Sequence, residues 1–231
     1  MEIRSFGSDS SGNSYLITSG GRSLLLEAGI PLKKLHGIDW SSVDACLITH
    51  EHGDHTKYAK DLLKRTGIDL YLSAGTQEVL EISSYRIKTL KALTKQNIGS
   101  WTVLPFDVQH DVNEPLGFLI QAPGGEKILF ATDTYYIKYQ FPGVTHLMIE
   151  CNYAMDILKK NVESGRLGAF LSNRVIKSHF ELNNVKKFIQ TNDLSQLQEV
   201  WLLHLSNGNS DEKRFKREIQ EITGTPVYIA E

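Results

Sequence analysis

Residues 50–55 of this chain read His50-Glu51-His52-Gly53-Asp54-His55, directly after the apolar run Ala45-Cys46-Leu47-Ile48 and Thr49. Four possible metal ligands, His50, His52, Asp54 and His55, fall within six residues beside a further carboxylate, Glu51, which restricts the local fold more than any other stretch does. Imidazole and carboxylate together are the ligands of a borderline divalent ion such as zinc. Side chains two apart on an extended chain share a face, so a buried strand running into a tight turn aims His50 and His52 the same way. Asp54 and His55 then open a helix and point at a second ion. One ion does not need all four donors, whereas two neighbouring ions do. The plain alternative is a polar turn with solvent-facing histidines, but ordinary loop chemistry has no use for so many ligands.

The rest of the chain alternates strands and helices. Residues 13–18 and 23–27 are apolar runs on either side of Gly20-Gly21, the pattern of a β-hairpin. Residues 55–64 and 75–82 read as helices, with a short strand over 68–73 between them. Segments 101–109, 116–122 and 127–131 read as consecutive antiparallel strands, with Pro123-Gly124-Gly125 as the last turn. A strand follows over 146–150. Residues 155–177 are charged and amphipathic, two helices split near 165–168, and helix resumes over 182–190. Residues 200–204 form a buried strand. An amphipathic helix spans 211–223, with Phe215, Ile219 and Ile222 on one face, and 226–230 closes as a strand. Two successive halves of this kind imply an α/β protein with two sheets sandwiched between helical layers. No linker interrupts them, so a single domain over 1–231 is expected.

The composition, 41% hydrophobic and 23% charged, is that of a globular domain. No run approaches the roughly 18 apolar residues of a membrane span, and the start of the chain lacks a signal-peptide pattern, so a cytoplasmic location is expected. Cys46 and Cys151 are then expected reduced and buried. The net charge is −2 with dispersed Lys and Arg, which disfavours a long polyanion as substrate.

Further donors share one theme, a polar ligand at the carboxyl end of an apolar strand. His110 ends 101–109, Asp133 follows 127–131, Glu150 ends 146–150 and His204 ends 200–204. A sheet gathers distant residues at one rim in this way. His36 and His146 lack the pattern and read as surface or core histidines.

The ordered set His50, His52, Asp54, His55, His110, Asp133, His204 resembles the metallo-β-lactamase superfamily over essentially the whole chain. The resemblance implies an αββα sandwich with two metals, most simply Zn2+, with Mn2+ open to the same ligands. It assigns His50, His52 and His110 to one ion, Asp54, His55 and His204 to the other, and Asp133 to both. Dinuclear β-lactamases usually have Cys where this chain has Asp133, which speaks against a lactamase; thioester hydrolases of the glyoxalase II type keep the Asp.

Glu150-Cys151, Ser178-His179-Phe180 and Leu203-His204-Leu205-Ser206 resemble the tRNase Z and YycJ-like phosphodiesterase branch. The resemblance implies that His179 works with Glu150 to protonate the leaving oxygen, while Asp54 orients the attacking water as well as binding metal. Gly7-Ser8-Asp9-Ser10-Ser11-Gly12-Asn13-Ser14 is similar to the Ser-Gly-Asn entry loop of the YycJ-like branch. The stretch between His110 and Asp133 has room for a hairpin and no more, so the arm with which bacterial tRNase Z enzymes hold tRNA is missing. Small size and balanced charge favour a cyclic mononucleotide, such as cyclic CMP or cyclic UMP, as opened by the anti-Pycsar phosphodiesterases. A YycJ-like 5′-to-3′ DNA exonuclease is the alternative, and a metal-stabilised binding module without catalysis the further one. Family resemblance and the amphipathic 155–177 segment imply a homodimer.

Overall fold

Leu24, Leu25 and Leu26 are wholly buried, as are Ala45, Cys46 and Leu47. Near-continuous apolar runs of this kind are what strands hidden on both faces require. The computed structural model describes all 231 residues, which form two compact units. The first comprises Met1–Asp107, Val112–Lys127 and Glu231, and the second Val108–Asp111 and Ile128–Ala230.

The first unit opens with β1 (Glu2–Asp9), β2 (Gly12–Ser19), β3 (Arg22–Leu26) and β4 (Val43–Leu47). Next come α1 (Gly53–Thr56), α2 (Ala59–Arg65), β5 (Asp69–Ser73), α3 (Ala74–Leu80) and β6 (Ile87–Leu90). β1, β2 and β3 pair antiparallel, whereas β3, β4, β5 and β6 run parallel. β7 (Gln96–Ile98), β8 (Trp101–Asp107) and β9 (Leu116–Gln121) form an antiparallel set. A core of Leu16, Leu25, Cys46, Ile48 and Leu70 packs with Leu62 of α2.

From Ile128 onward the second unit carries β10 (Lys127–Ala131), whose first residue belongs to the first unit, then β11 (His146–Glu150), β12 (Glu199–Leu203) and β13 (Val227–Ile229), paired parallel in that order. Between β11 and β12 lie α4 (Met155–Glu163), α5 (Ala169–Ser178) and α6 (Leu182–Thr191); α7 (Glu212–Thr223) precedes β13. Phe215 and Ile219 of α7 are wholly buried, and Lys186 of α6 bridges Glu218 at 2.8 Å. No helix is long and apolar enough to cross a membrane. Both cysteines are free and buried.

Most elements lie where the sequence puts them; three differences have physical causes. β1 was hidden from a periodicity reading because only two of its eight residues are buried. The helix expected over 55–64 breaks into α1 and α2, since Tyr58 turns its N–H onto the Ala28 carbonyl at 2.9 Å. The strand expected over 101–109 ends at Asp107, so His110 lies beyond its end rather than at it. His36 is exposed, and buried His146 spends its Nδ1 on the Thr145 hydroxyl at 2.8 Å, so both stand as surface and core residues.

Candidate metal centre

In the first unit the donors hang on one turn. β4 ends at Leu47, and a buried Ile48-Thr49 carries the chain to His50, 1% exposed. Thr49 Oγ1 lies 2.9 Å from His50 Nδ1, and His50 Nε2 lies 3.2 Å from His52 Nδ1. The two rings meet edge to face, with centroids 4.9 Å apart, and His55 sits 4.2 Å from His50. His55 Nε2 is 3.3 Å from Asp54 Oδ2. Glu51 belongs to the frame: it accepts from Asn113 N at 2.8 Å and from Thr76 Oγ1 at 3.2 Å.

Three supporting residues had no role assigned from the sequence, although one of them, Asn13, lay in the Ser-Gly-Asn stretch. Glu27 is fully buried beyond the end of β3, 3.5 Å from His55 Nδ1, and accepts from Thr49 N at 3.3 Å. A carboxylate behind a histidine fixes the ring and raises its basicity toward a metal. Its signal was in the chain, a lone carboxylate closing the run Leu24-Leu25-Leu26. Asn13 donates to Asp54 Oδ2 at 3.2 Å and to the Asp9 carbonyl at 3.0 Å. The Ser-Gly-Asn stretch is thus the β1–β2 hairpin, and its asparagine holds a donor side chain. At Gly29 a Cβ would fall 1.7 Å from the Asp54 carbonyl oxygen, so only glycine lets α1 approach.

In the second unit the donors come from separate segments. Register places Ala131 opposite Ile149, and Glu150 opposite Leu203. Asp133, Glu150 and His204 therefore gather at the carboxyl ends of three adjacent parallel strands, where open α/β sheets put their sites. Asp133 and His204 have φ of 47° and 52°, and Glu27 in the first unit has 65°. Each such non-glycine residue costs about 1–2 kcal/mol. The cost is offset by contacts: Asn152 Nδ2 donates to the His204 carbonyl at 2.7 Å, and Thr132 Oγ1 to Asp133 Oδ1 at 3.1 Å. Asp133 Oδ1 is 3.3 Å from His204 Nδ1, and its Oδ2 is 4.0 Å from His110 Nε2. His110 Nδ1 faces the Ser178 carbonyl at 3.1 Å. A proton held there leaves Nε2 as the donor to a cation.

Glu150 and His179 form the remaining pair. Glu150 is fully buried, and its Oε1 lies 2.6 Å from His179 Nδ1. Its Oε2 accepts from the backbone N–H of Thr134 and of Phe180, both at 3.0 Å. Burial opposes the charge on Glu150, but the adjacent His179 and the hydrogen bonds hold its carboxyl below the usual range. Burial likewise opposes a charge on His179, and the Glu150 carboxylate outweighs it, so the imidazole stays protonated above its usual value. Asp133, Glu150, His179 and His204 each offer one ligand atom within 4.8 Å of the others. Glu150 has its oxygens committed to other donors, so it reads as the partner of His179 rather than as a ligand.

Imidazole and carboxylate donors with fixed tautomers fit divalent ions: His50, His52, Asp54 and His55 in the first unit, and His110, Asp133 and His204 in the second.

Residues 25–189 match the sequence profile described as "Beta-lactamase superfamily domain". Exodeoxyribonuclease WalJ of Streptococcus pneumoniae (strain D39) is 28% identical over 88% of this chain and 81% of its own length. Exodeoxyribonuclease YycJ of Bacillus anthracis is 23% identical over 93% and 86%. Anti-Pycsar protein Apyc1 of Bacillus phage BSP38 is 27% identical over 55% and 64%. Among solved structures, the metallo-beta-lactamase fold protein YhfI of Bacillus subtilis superposes with a TM-score of 0.75 at 18% identity, covering 99% of this chain and 96% of its own. The two-sheet fold of the αββα class expected from the sequence is the fold of that structure.

Proposed function

Since the chain belongs to the beta-lactamase superfamily, its profile matching residues 25–189, we propose that it is a metal-dependent phosphodiesterase acting on DNA ends. The carrying observation is the Glu150–His179 contact at 2.6 Å beside Asp133 and His204. A sugar alkoxide leaving a phosphodiester needs a proton, and an imidazolium held by a buried carboxylate supplies one near neutral pH. A thiolate departs unaided, its conjugate acid having a pKa of about 8.5, so a thioester hydrolase has no use for this pair. A metal-stabilised binding module has none either.

The family resemblance further supports two ions, for which the first unit would supply His50, His52, Asp54 and His55 and the second His110, Asp133 and His204. When bound, such ions supply Lewis-acid chemistry, polarising the phosphoryl group and acidifying the attacking water. Asp54 orients that water, Glu150 keeps His179 protonated, and His179 delivers its proton to the departing oxygen. Zinc is the ion these ligands favour, with manganese compatible.

The exodeoxyribonuclease reading takes precedence over the cyclic mononucleotide reading. Likeness to WalJ and YycJ extends over 88% and 93% of the chain, whereas likeness to Apyc1 stops at 55%. Compactness does not separate the two, because the exonuclease relatives are nearly as short, this chain covering 81% and 86% of their length. Phe170 and Leu171, 87% and 49% exposed on α5, support a homodimer, for which light scattering at twice the chain mass is the expected result.

A substrate panel is the test: 5′-phosphorylated single-stranded DNA, the four cyclic mononucleotides, a tRNA precursor and a lactoyl thioester, each with zinc or manganese. Release of mononucleotides from DNA is expected. Hydrolysis of cyclic mononucleotides without DNA restores the other order, and hydrolysis of the thioester alone overturns the phosphodiesterase reading.

A further inference from the structure

Beside the Glu150–His179 pair, entirely within the second unit, lies a cleft of about 530 Å³. One wall is the segment following Asp133, with Tyr135, Tyr136, Lys138 and Tyr139; the other is Phe180 and α6, with Lys187. Tyr135 and Tyr136 are 40% and 55% exposed, unusual for two adjacent aromatics unless their faces serve a ligand. The Lys138 ammonium lies 5.0 Å from the centroid of the Tyr139 ring.

The cleft is built rather than incidental. Both walls are fastened to the same carboxylate oxygen, since Glu150 Oε2 accepts from Thr134 N and from Phe180 N. Thr134 locks its turn, donating through Oγ1 to the Tyr136 carbonyl at 2.9 Å and accepting from Gln109 N at 3.0 Å. At the far end Gln140 Nε2 donates to the Thr191 carbonyl at 3.0 Å, and Phe141 N to Asn192 Oδ1 at 3.1 Å. Buried Ile137 and Phe141 pin the segment inward. The tyrosine faces are therefore held before any ligand arrives, which lowers the entropic cost of binding.

We propose that this cleft is a nucleotide subsite: Tyr135, Tyr136 and Tyr139 stack on bases of a single-stranded DNA, while Lys138 and Lys187 take the phosphates next to the scissile one. Aromatic faces interleaved with cations are the chemistry by which single strands are held without base readout. The proposal rests on the phosphodiesterase reading and deepens it, because the carboxylate that orients the proton donor also sets both walls of the subsite. Strand position and proton delivery are thereby tied to one side chain.

The test compares Tyr136→Ala, Tyr136→Phe and the double variant Lys138→Ala/Lys187→Ala with the parent on two substrates, 5′-phosphorylated oligo-dT and bis(p-nitrophenyl) phosphate. Tyr136→Ala is expected to raise KM for the oligonucleotide by roughly tenfold or more. Tyr136→Phe keeps the stacking face and is expected to restore the parent KM. The lysine variant is expected to flatten the slope of log KM against log salt by about 0.7 for each lysine that meets a phosphate. The small ester fills no second subsite, so its kcat/KM stays unchanged in all three variants. An oligonucleotide KM and salt slope that ignore these substitutions overturn the subsite while leaving the phosphodiesterase standing. A parent that cleaves cyclic mononucleotides and no oligonucleotide also overturns it. If the parent cleaves no phosphodiester, the functional reading has failed separately. Fluorescence anisotropy with 3′-labelled oligo-dT then decides on the cleft: weaker binding by Tyr136→Ala supports it, and equal binding removes it.

Discussion

The two units present their donors in opposite ways. In the first unit His50, His52, Asp54 and His55 occupy a single turn between β4 and α1, and neighbouring backbone positions them. In the second, the donors His110, Asp133 and His204 and the pair Glu150 and His179 come from five separated segments: Asp133, Glu150 and His204 from the ends of adjacent parallel strands, His110 from beyond β8 and His179 from the end of α5. The first arrangement fails through local backbone, as at Gly29. The second fails through single side chains, each the only one its segment supplies. Strain is distributed accordingly, with one positive-φ donor or supporting residue in the first unit, Glu27, and two in the second, Asp133 and His204.

The contrast predicts that single truncations in the second unit do the most damage. Asp133→Ala is expected to lose bound metal and to lower turnover by ~10³-fold or more. Metal analysis of the folded variant beside a rate assay checks both; full metal content with parent turnover would remove Asp133 from the centre. His179→Ala separates acid from ligand. It is expected to retain metal while kcat falls by about 10²- to 10⁴-fold, and a variant working at the parent rate would end the acid assignment.

Next in size comes the backbone of the first unit. Gly29→Ala forces a Cβ against the Asp54 carbonyl oxygen and is expected to cost about 2–4 kcal/mol of stability. At Gly53, in the same turn, a Cβ meets nothing within 4 Å, so Gly53→Ala is expected to stay within about 0.5 kcal/mol. Denaturant unfolding of both variants measures the difference, and equal losses would show that the close approach at Gly29 is unimportant.

The smallest effect concerns the ion pairs that each unit carries away from its donors. Asp44 on β4 accepts from Arg22 Nε at 3.1 Å and from Trp101 Nε1 at 3.1 Å. Burial opposes its charge, but Arg22 and Ser100 outweigh it and hold the carboxyl below the usual aspartate range. A depressed folded value means stability that is present above the unfolded value near 4 and is lost as pH falls through the folded one. Asp44→Asn is therefore expected to lower Tm slightly at pH 7, with the gap to the parent closing below roughly pH 4. A gap that widens on acidification would reverse the sign assigned to this pair. Arg214 in the second unit, shared between Glu218 and Asp156 at 2.8 Å each, is the matching site for a control.

Legibility in the sequence followed the same division. The turn at 50–55 was readable because ligand density is a local property. His110, Asp133 and His204 stood out through their places after apolar strands, and their grouping came from resemblance to a family. Glu27 escaped although it closes an apolar run, because a single carboxylate there looks like an ordinary strand end until His55 is found behind it. Asn13 was visible only as part of a Ser-Gly-Asn motif with no role attached, and Asn152 carried no signal at all, since an asparagine that props a donor side chain or a strained carbonyl looks like any turn residue. β1 was missed for want of an apolar face.

By itself the sequence determined the chemistry of the donors, the alternation of strand and helix, and the family to which both belong, since these depend on residue type and spacing along one chain. The resemblance paired Glu150 with His179, but only the tertiary structure decided that the same carboxylate fastens both walls of a tyrosine-lined cleft. Residues 134 and 150 meet through the register of β10 on β11, and 179 and 180 reach Glu150 from the end of α5. No local pattern along the chain encodes that register.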